Sequence, residues 1–198
     1  MNKPANVAVF LSGGGSNFQS LLNAAQAGNL AARIVLVVSN QDNAYGLERA
    51  RLAGIDTFVY KVKNYPNRSE AHRDLMEVMA SYDIDYIALA GYLKLIPEPL
   101  IKKYVNRITN VHPALLPKFG GKGMYGNRVH QAVLKAGETE SGASIHLVDE
   151  IYDNGKILMQ KKVPVLPDDT PDTLAARVLK VEHEIYPIAL NDLITGKI

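Results

Sequence analysis

From Asn6 to His112, short runs rich in β-branched residues alternate with longer segments of helical period, and no other feature of the chain limits its fold as strongly. The spacing predicts strands near 6–11, 33–38, 57–60, 85–89 and 107–112. It predicts helices at Asn17–Ala27, Tyr45–Ala53, Ser69–Ser81 and Glu98–Tyr104. Two parallel strands need a crossover of a dozen or more residues, and each gap here is that long and holds a helix. Right-handed crossovers make such a chain a doubly wound α/β sheet, mostly parallel, whose strand C-termini open on one crevice.

The pattern changes after Pro117. Gly120, Gly121, Gly123 and Gly126 form a flexible passage before a helix expected at Arg128–Ala136. Ser144–Val148 and Ile157–Val165 read as two strands joined through Asp149 to Gly155, an antiparallel extension with Asn154-Gly155 at the turn. Thr170-Pro171 supplies an N-cap followed by proline at the first helical position, opening a long helix to about Leu193 with Gly196 beyond it. The 198 residues, 47% of them hydrophobic, are expected to form one domain, with no linker or internal repeat to divide it.

Twenty-two basic and 20 acidic residues leave a formal charge of +2 without a basic stripe, which argues against nucleic acid as a partner. Cysteine is absent, excluding disulfides, thiolate nucleophiles and cysteine-ligated zinc. The apolar run after Met1-Asn2-Lys3-Pro4 is too short for a signal peptide or a membrane span, so a cytoplasmic protein without a membrane partner is expected.

At the end of the fifth expected strand stands Asn110-Val111-His112-Pro113. Side chains at i and i+2 of a strand share a face, so Asn110 and His112 project together at the edge where parallel sheets carry ligands. A carboxamide can donate to a developing oxyanion, and an imidazole can move protons near neutral pH. Asp149, Glu150 and Asp153 are candidate acidic partners, and spacing does not choose among them. His146 either lines the same cleft or is a core histidine.

Ser12-Gly13-Gly14-Gly15-Ser16-Asn17 joins the first strand to the first helix, leaving backbone N–H groups at a helix N-terminus, a favourable seat for phosphate. It is neither a dinucleotide fingerprint, since Phe18 takes the third glycine's place, nor a Walker loop. The histidines lack metal-ligand spacing, so no metal is expected. Glu182-His183-Glu184 reads as a solvated helix face, and Arg68, just before a helix, as a surface cation, although loop arginines suit phosphates.

Together these segments resemble the folate-dependent glycinamide ribonucleotide formyltransferases. The resemblance rests on Leu11 to Asn17, Gly46-Leu47-Glu48-Arg49-Ala50, Leu89-Ala90-Gly91-Tyr92, Asn110-Val111-His112-Pro113 with Leu115-Leu116-Pro117, Ser144 to Val148 with Asp153, and Glu182 to Pro187. It implies formyl transfer from 10-formyltetrahydrofolate, as co-substrate, to the amine of glycinamide ribonucleotide in purine synthesis. The implied catalytic group is Asn110, His112 and Asp153. The implied substrate contacts are Gly14, Gly15, Ser16, Asn17, Arg68 and Glu182. The implied folate contacts are Tyr92, Leu93, Lys94, Leu95, Asn110, Val148, Asp149 and Asp153. A phosphate-binding half at about 1–105 and a folate and catalytic half at about 106–198 follow, in a monomer or homodimer acting on small molecules.

Three positions depart from that pattern. Ala114 stands for a common serine, Lys94 for a common arginine near the folate, and 119–127 is longer and richer in glycine than the usual turn. The rival folate enzymes, methionyl-tRNA formyltransferase and the deformylase, are expected to carry an extra domain, and a silent binder is expected to lack the three catalytic groups.

Overall fold

The computed structural model describes residues 3–198; Met1 and Asn2, the start of the stretch read above as no signal peptide, lie outside the described residues. Five parallel strands are β1 (Ala5–Leu11), β2 (Ala32–Ser39), β3 (Asp56–Val59), β4 (Tyr86–Leu89) and β5 (Ile108–His112). Two antiparallel strands, β6 (Glu140–Leu147) and β7 (Ile157–Pro164), complete one sheet in the order β3-β2-β1-β4-β5-β6-β7. The helices are α1 (Ser16–Gln26), α2 (Tyr45–Leu52), α3 (Arg68–Ser81), α4 (Glu98–Lys103), α5 (Asn127–Lys135) and α6 (Pro171–Ile194). A 3₁₀ turn at Val62–Asn64, which the periodicity did not indicate, precedes α3.

The strand order reverses between β1 and β4, the switch point at which open α/β sheets leave a crevice. Alternation along β1 separates the two cores. Val7, Val9 and Leu11 join α1, α2, α5 and α6 on one face, while Ala8 and Phe10 join α3 and α4 on the other. The central strands are apolar on both faces because helices cover both.

Helix ends follow their residues. Asn67 caps α3 by accepting from Glu70 N–H at 3.0 Å. Thr170 and Thr173 form a reciprocal cap at the start of α6, with Pro171 in its first turn as expected. Strand β6 begins four residues before the expected Ser144, because Gly142 lets the neighbouring backbone of β7 approach; a Cβ there would lie 2.1 Å from the Lys161 carbonyl oxygen.

Helix α6 is fastened to the sheet beneath the crevice by one buried tyrosine. Tyr186, fully buried, places its hydroxyl 3.2 Å from the carbonyls of Leu89 and Thr109 and 3.1 Å from the Thr109 hydroxyl. Tyr186→Phe removes this tie without removing the ring, and is expected to cost about 1–2 kcal/mol of stability in urea denaturation, with an unchanged m value.

Candidate active site

The C-terminal edges of β4 and β5 open into a cavity of ≈ 440 Å³. Asn110 and His112 both reach it, as their shared strand face predicts. The antiparallel register sets Asn110 directly opposite His146 on β6. His146 is therefore part of the cleft while also almost fully buried. Its Nδ1 donates to the Leu147 carbonyl at 2.8 Å, which leaves Nε2 to accept from Asn110 Nδ2 at 3.1 Å.

Asp153 is the acid that meets these groups. It sits in the turn between β6 and β7 with a left-handed backbone, φ 53°, which a short polar side chain tolerates. Its Oδ2 lies 3.5 Å from His112 Nδ1 and accepts from Gly121 N–H at 2.9 Å. Its Oδ1 lies 3.5 Å from both Asn110 Nδ2 and His146 Nε2. Burial pushes the carboxyl up, but the imidazoles of His146 and His112 in their protonated forms, with the Gly121 N–H, outweigh it and hold the group below its ordinary value. Asp149 instead accepts from Ile151 N–H and Asn154 within its own turn, and Glu150 is exposed.

Burial is the largest influence on His112 and lowers its pKa; the charge of Asp153 and the bond to the Phe119 carbonyl oppose it without overcoming it. The ring is accordingly uncharged at neutral pH. Because its Nε2 donates to Phe119 O at 2.8 Å, the uncharged ring keeps its lone pair at Nδ1, the nitrogen facing Asp153.

Residues 119–126, which sequence reasoning did not place in the site, form part of it. Phe119 holds His112, Gly121 holds Asp153, and Gly121, Gly123 and Met124 to Asn127 line the cavity. Gly120 packs against the acid so closely that a Cβ would stand 3.2 Å from Asp153 Cβ. The signal available in the sequence was the glycine spacing, since Gly121, Gly123 and Gly126 all have positive φ.

The remaining expected residues divide into three groups. Tyr92, Leu93, Lys94, Leu95, Val148 and Asp149 line the same cavity. So do Asn17 and Glu182, which share a hydrogen bond of 2.6 Å from Asn17 Nδ2 to Glu182 Oε2. Glu182 corrects the reading of a solvated helix face, for it is buried, and burial raises its pKa against the opposing pull of Asn17. Gly14, Gly15 and Ser16 form the turn just ahead of Asn17, with Gly15 left-handed at φ 73° as N-cap of α1.

Arg68 is not brought to that turn. As the first residue of α3 it lines a second cavity of ≈ 690 Å³ with Tyr60, Lys61, Lys63, His72 and Lys94. The segment from Tyr92 to Ile96 separates the two cavities and lines both, except for Leu93, which faces the first only. This wall is tied to the glycine turn, since Leu93 N–H donates to Ser12 Oγ at 2.9 Å. Among the described residues no cluster of metal-ligating side chains occurs, and no helix is long and apolar enough to cross a membrane.

Comparison with known proteins points the same way. The chain is 48% identical over 181 residues to the chloroplastic phosphoribosylglycinamide formyltransferase of Arabidopsis thaliana, covering 91% of this chain and 62% of that protein. The chain thus spans under two thirds of the plant relative's length. A glycinamide ribonucleotide transformylase from Symbiobacterium toebii superposes with a TM-score of 0.92 at 36% identity, covering 99% of this chain and 90% of that one. The phosphoribosylglycinamide formyltransferase of Brucella melitensis gives a TM-score of 0.90 at 43% identity, over 99% of this chain and 98% of that one. The profile described as formyl transferase matches residues 5–190, and with the fold and these relatives it establishes that the chain belongs to the formyl transferase family.

Proposed function

We propose that this chain transfers the formyl group of 10-formyltetrahydrofolate to the primary amine of glycinamide ribonucleotide, giving formylglycinamide ribonucleotide and tetrahydrofolate. The observation that carries the reading is the convergence of Asn110, His112 and Asp153 on one cavity whose far wall holds Asn17 and Glu182. One C–N bond forms at the formyl carbon, one breaks at the folate nitrogen, and one proton passes from the acceptor amine to that nitrogen.

Each group has a chemical task. Asn110 Nδ2 has two hydrogens. One is engaged by His146 at 3.1 Å; the other faces Asp153 at 3.5 Å, too long for a firm bond, and is free to donate to the formyl oxygen as charge develops there. Uncharged His112 takes up the amine's proton at Nδ1, and Asp153, ionised beside it, stabilises the imidazolium until the proton is delivered to the leaving nitrogen. Tyr92 to Leu95 with Val148 and Asp149 provide the seat for the pterin. Gly14 to Asn17 and Glu182 provide the seat for the phosphate and ribose.

The resemblance assigned Arg68 to the phosphorylated acceptor, but its position supports a different role. The second cavity collects Lys63, Arg68 and Lys94, with Lys61 paired to Asp42 outside its lining, and it adjoins the pterin seat through Tyr92 and Lys94 to Ile96. We assign it to the glutamate carboxylates of the donor, with Lys94 supplying the charge the usual arginine would bring.

Tetrahydrofolate release measured with and without glycinamide ribonucleotide tests the whole reading. Acceptor-dependent release is expected; acceptor-independent release identifies a deformylase, and no release a silent binder. Asn110→Ala is expected to lower kcat about 100-fold or more with a small change in either KM, the loss typical of one oxyanion donor. Arg68→Ala is expected to raise KM for the folate about tenfold, as for a lost charge-assisted hydrogen bond, and to leave KM for the acceptor nearly unchanged in the same steady-state assay.

The pH profile follows from His112. The working form is unprotonated and its pKa is depressed, so kcat/KM is expected to hold through neutral pH and to fall along an acid limb with its midpoint below 6.5. Asp153 raises the pKa of His112, so in Asp153→Asn the limb of the residual activity is expected at still lower pH. An unmoved limb would show that another group sets it.

A further inference from the structure

The motif Gly46-Leu47-Glu48-Arg49-Ala50 supplies no group to the chemistry above, yet it grips the glycine turn at two points. Gly46 N–H donates to the Gly13 carbonyl at 3.0 Å. Arg49 Nε donates to the Gly14 carbonyl at 2.9 Å. In a planar trans peptide the C=O and N–H point in opposite directions. Drawing the carbonyls of Gly13 and Gly14 onto α2 therefore turns the N–H groups of Gly14 and Gly15 away from it. Among the described residues no backbone carbonyl accepts from either group outside regular structure. They stand beside the N–H groups of the first turn of α1, which a helix leaves unpaired.

The two glycines allow this grip. A Cβ on Gly15 would lie 2.7 Å from Gly46 Cα, and one on Gly46 would lie 2.4 Å from Leu11 Cδ2. Arg49 is held from other sides as well. Its Nη1 donates to Gln19 Oε1 on α1 at 3.3 Å, and its Cζ lies 5.0 Å from the centre of the Tyr45 ring. Among the described residues it has no carboxylate partner, whereas neighbouring Arg51 pairs with Glu48. An independent sign of a ligand stands one residue into α1: Asn17 is 7% exposed, lines the first cavity, and its Oδ1 has no hydrogen-bond partner, an acceptor that suits a hydroxyl of the ribose carrying the phosphate.

We propose that Arg49 is a positioning residue for the acceptor's phosphomonoester dianion: it fixes the Gly14 carbonyl so that the N–H groups of Gly14 and Gly15 face outward, and it leaves an unneutralised cation beside them. The inference rests on the formyl-transfer reading and deepens it, since it makes recognition of the phosphate depend on α2 as well as on α1. A dianion gains from both elements, from N–H groups aimed in advance and from a guanidinium that needs no rearrangement.

The test compares two acceptors, glycinamide ribonucleotide and its dephosphorylated riboside, in the unsubstituted chain and in Arg49→Ala, with thermal unfolding recorded for each protein. In Arg49→Ala, kcat/KM for the ribonucleotide is expected to fall at least about tenfold, mainly through KM, while kcat/KM for the riboside stays within about twofold. An equal loss on both acceptors would make Arg49 a structural residue only, and no loss on either would also overturn the proposal. Arg49→Lys keeps the charge without the planar fork, and the same split in smaller measure is expected from it; it decides the matter if the alanine variant does not fold. If the unsubstituted enzyme releases no tetrahydrofolate in response to the ribonucleotide, the formyl-transfer reading falls and this inference with it. A ribonucleotide response that Arg49→Ala leaves intact overturns the inference alone.

Discussion

A carboxylate withdrawn from water must be satisfied by the groups around it, and Asp153 has drawn three separate parts of the chain to itself for that reason. The end of β5 supplies Asn110 and His112, β6 supplies His146, and the glycine-rich segment supplies the Gly121 N–H. The same charge then shapes the chemistry. It moderates the effect of burial on His112 and, in the proposed reaction, would stabilise the charge that ring acquires. Removing the acid would leave three elements facing one another without the group that reconciles them.

The sheet explains how two cavities come to share one wall. Parallel strands β1 and β4 are paired neighbours from which strand order runs outward in opposite directions, and the chain leaving β4 at that switch point becomes the wall from Tyr92 to Ile96 with a cavity on each side. The wall is buried at Tyr92, whose ring meets Phe10 edge-on at 5.4 Å, and exposed at Leu93 and Leu95. Such a wall offers an apolar rim for a flat heterocycle and a charged recess for its anionic end.

Most of this frame was legible in the sequence. Runs rich in β-branched residues and helical periodicity identify every strand and α-helix to within a few residues, because the two kinds of segment alternate regularly along the chain. Asn110 and His112 were legible because strand spacing is rigid. The harder cases share one property: their meaning depends on contacts between distant parts of the chain. Glu182 sits in a polar trio on a helix, and only the approach of Asn17 on α1 makes its burial tolerable. Phe119 acts through a backbone carbonyl, which no residue type announces. Arg68 looks like a phosphate ligand by type, and its address was set by the Asn67 cap that starts α3 there.

Helix α6 carries Glu182, which faces the cavity, and Tyr186, which grips the carbonyls of β4 and β5 under Asn110. The two are four residues apart, about 6 Å along one helix. The proposed seat for the acceptor's ribose and the strand ends that carry Asn110 are thus spaced by about one turn of a single helix. Both residues lie in continuous helix ahead of Pro187, so in the proposed reaction the reach from one reactant to the other is set by helix geometry rather than by loop motion.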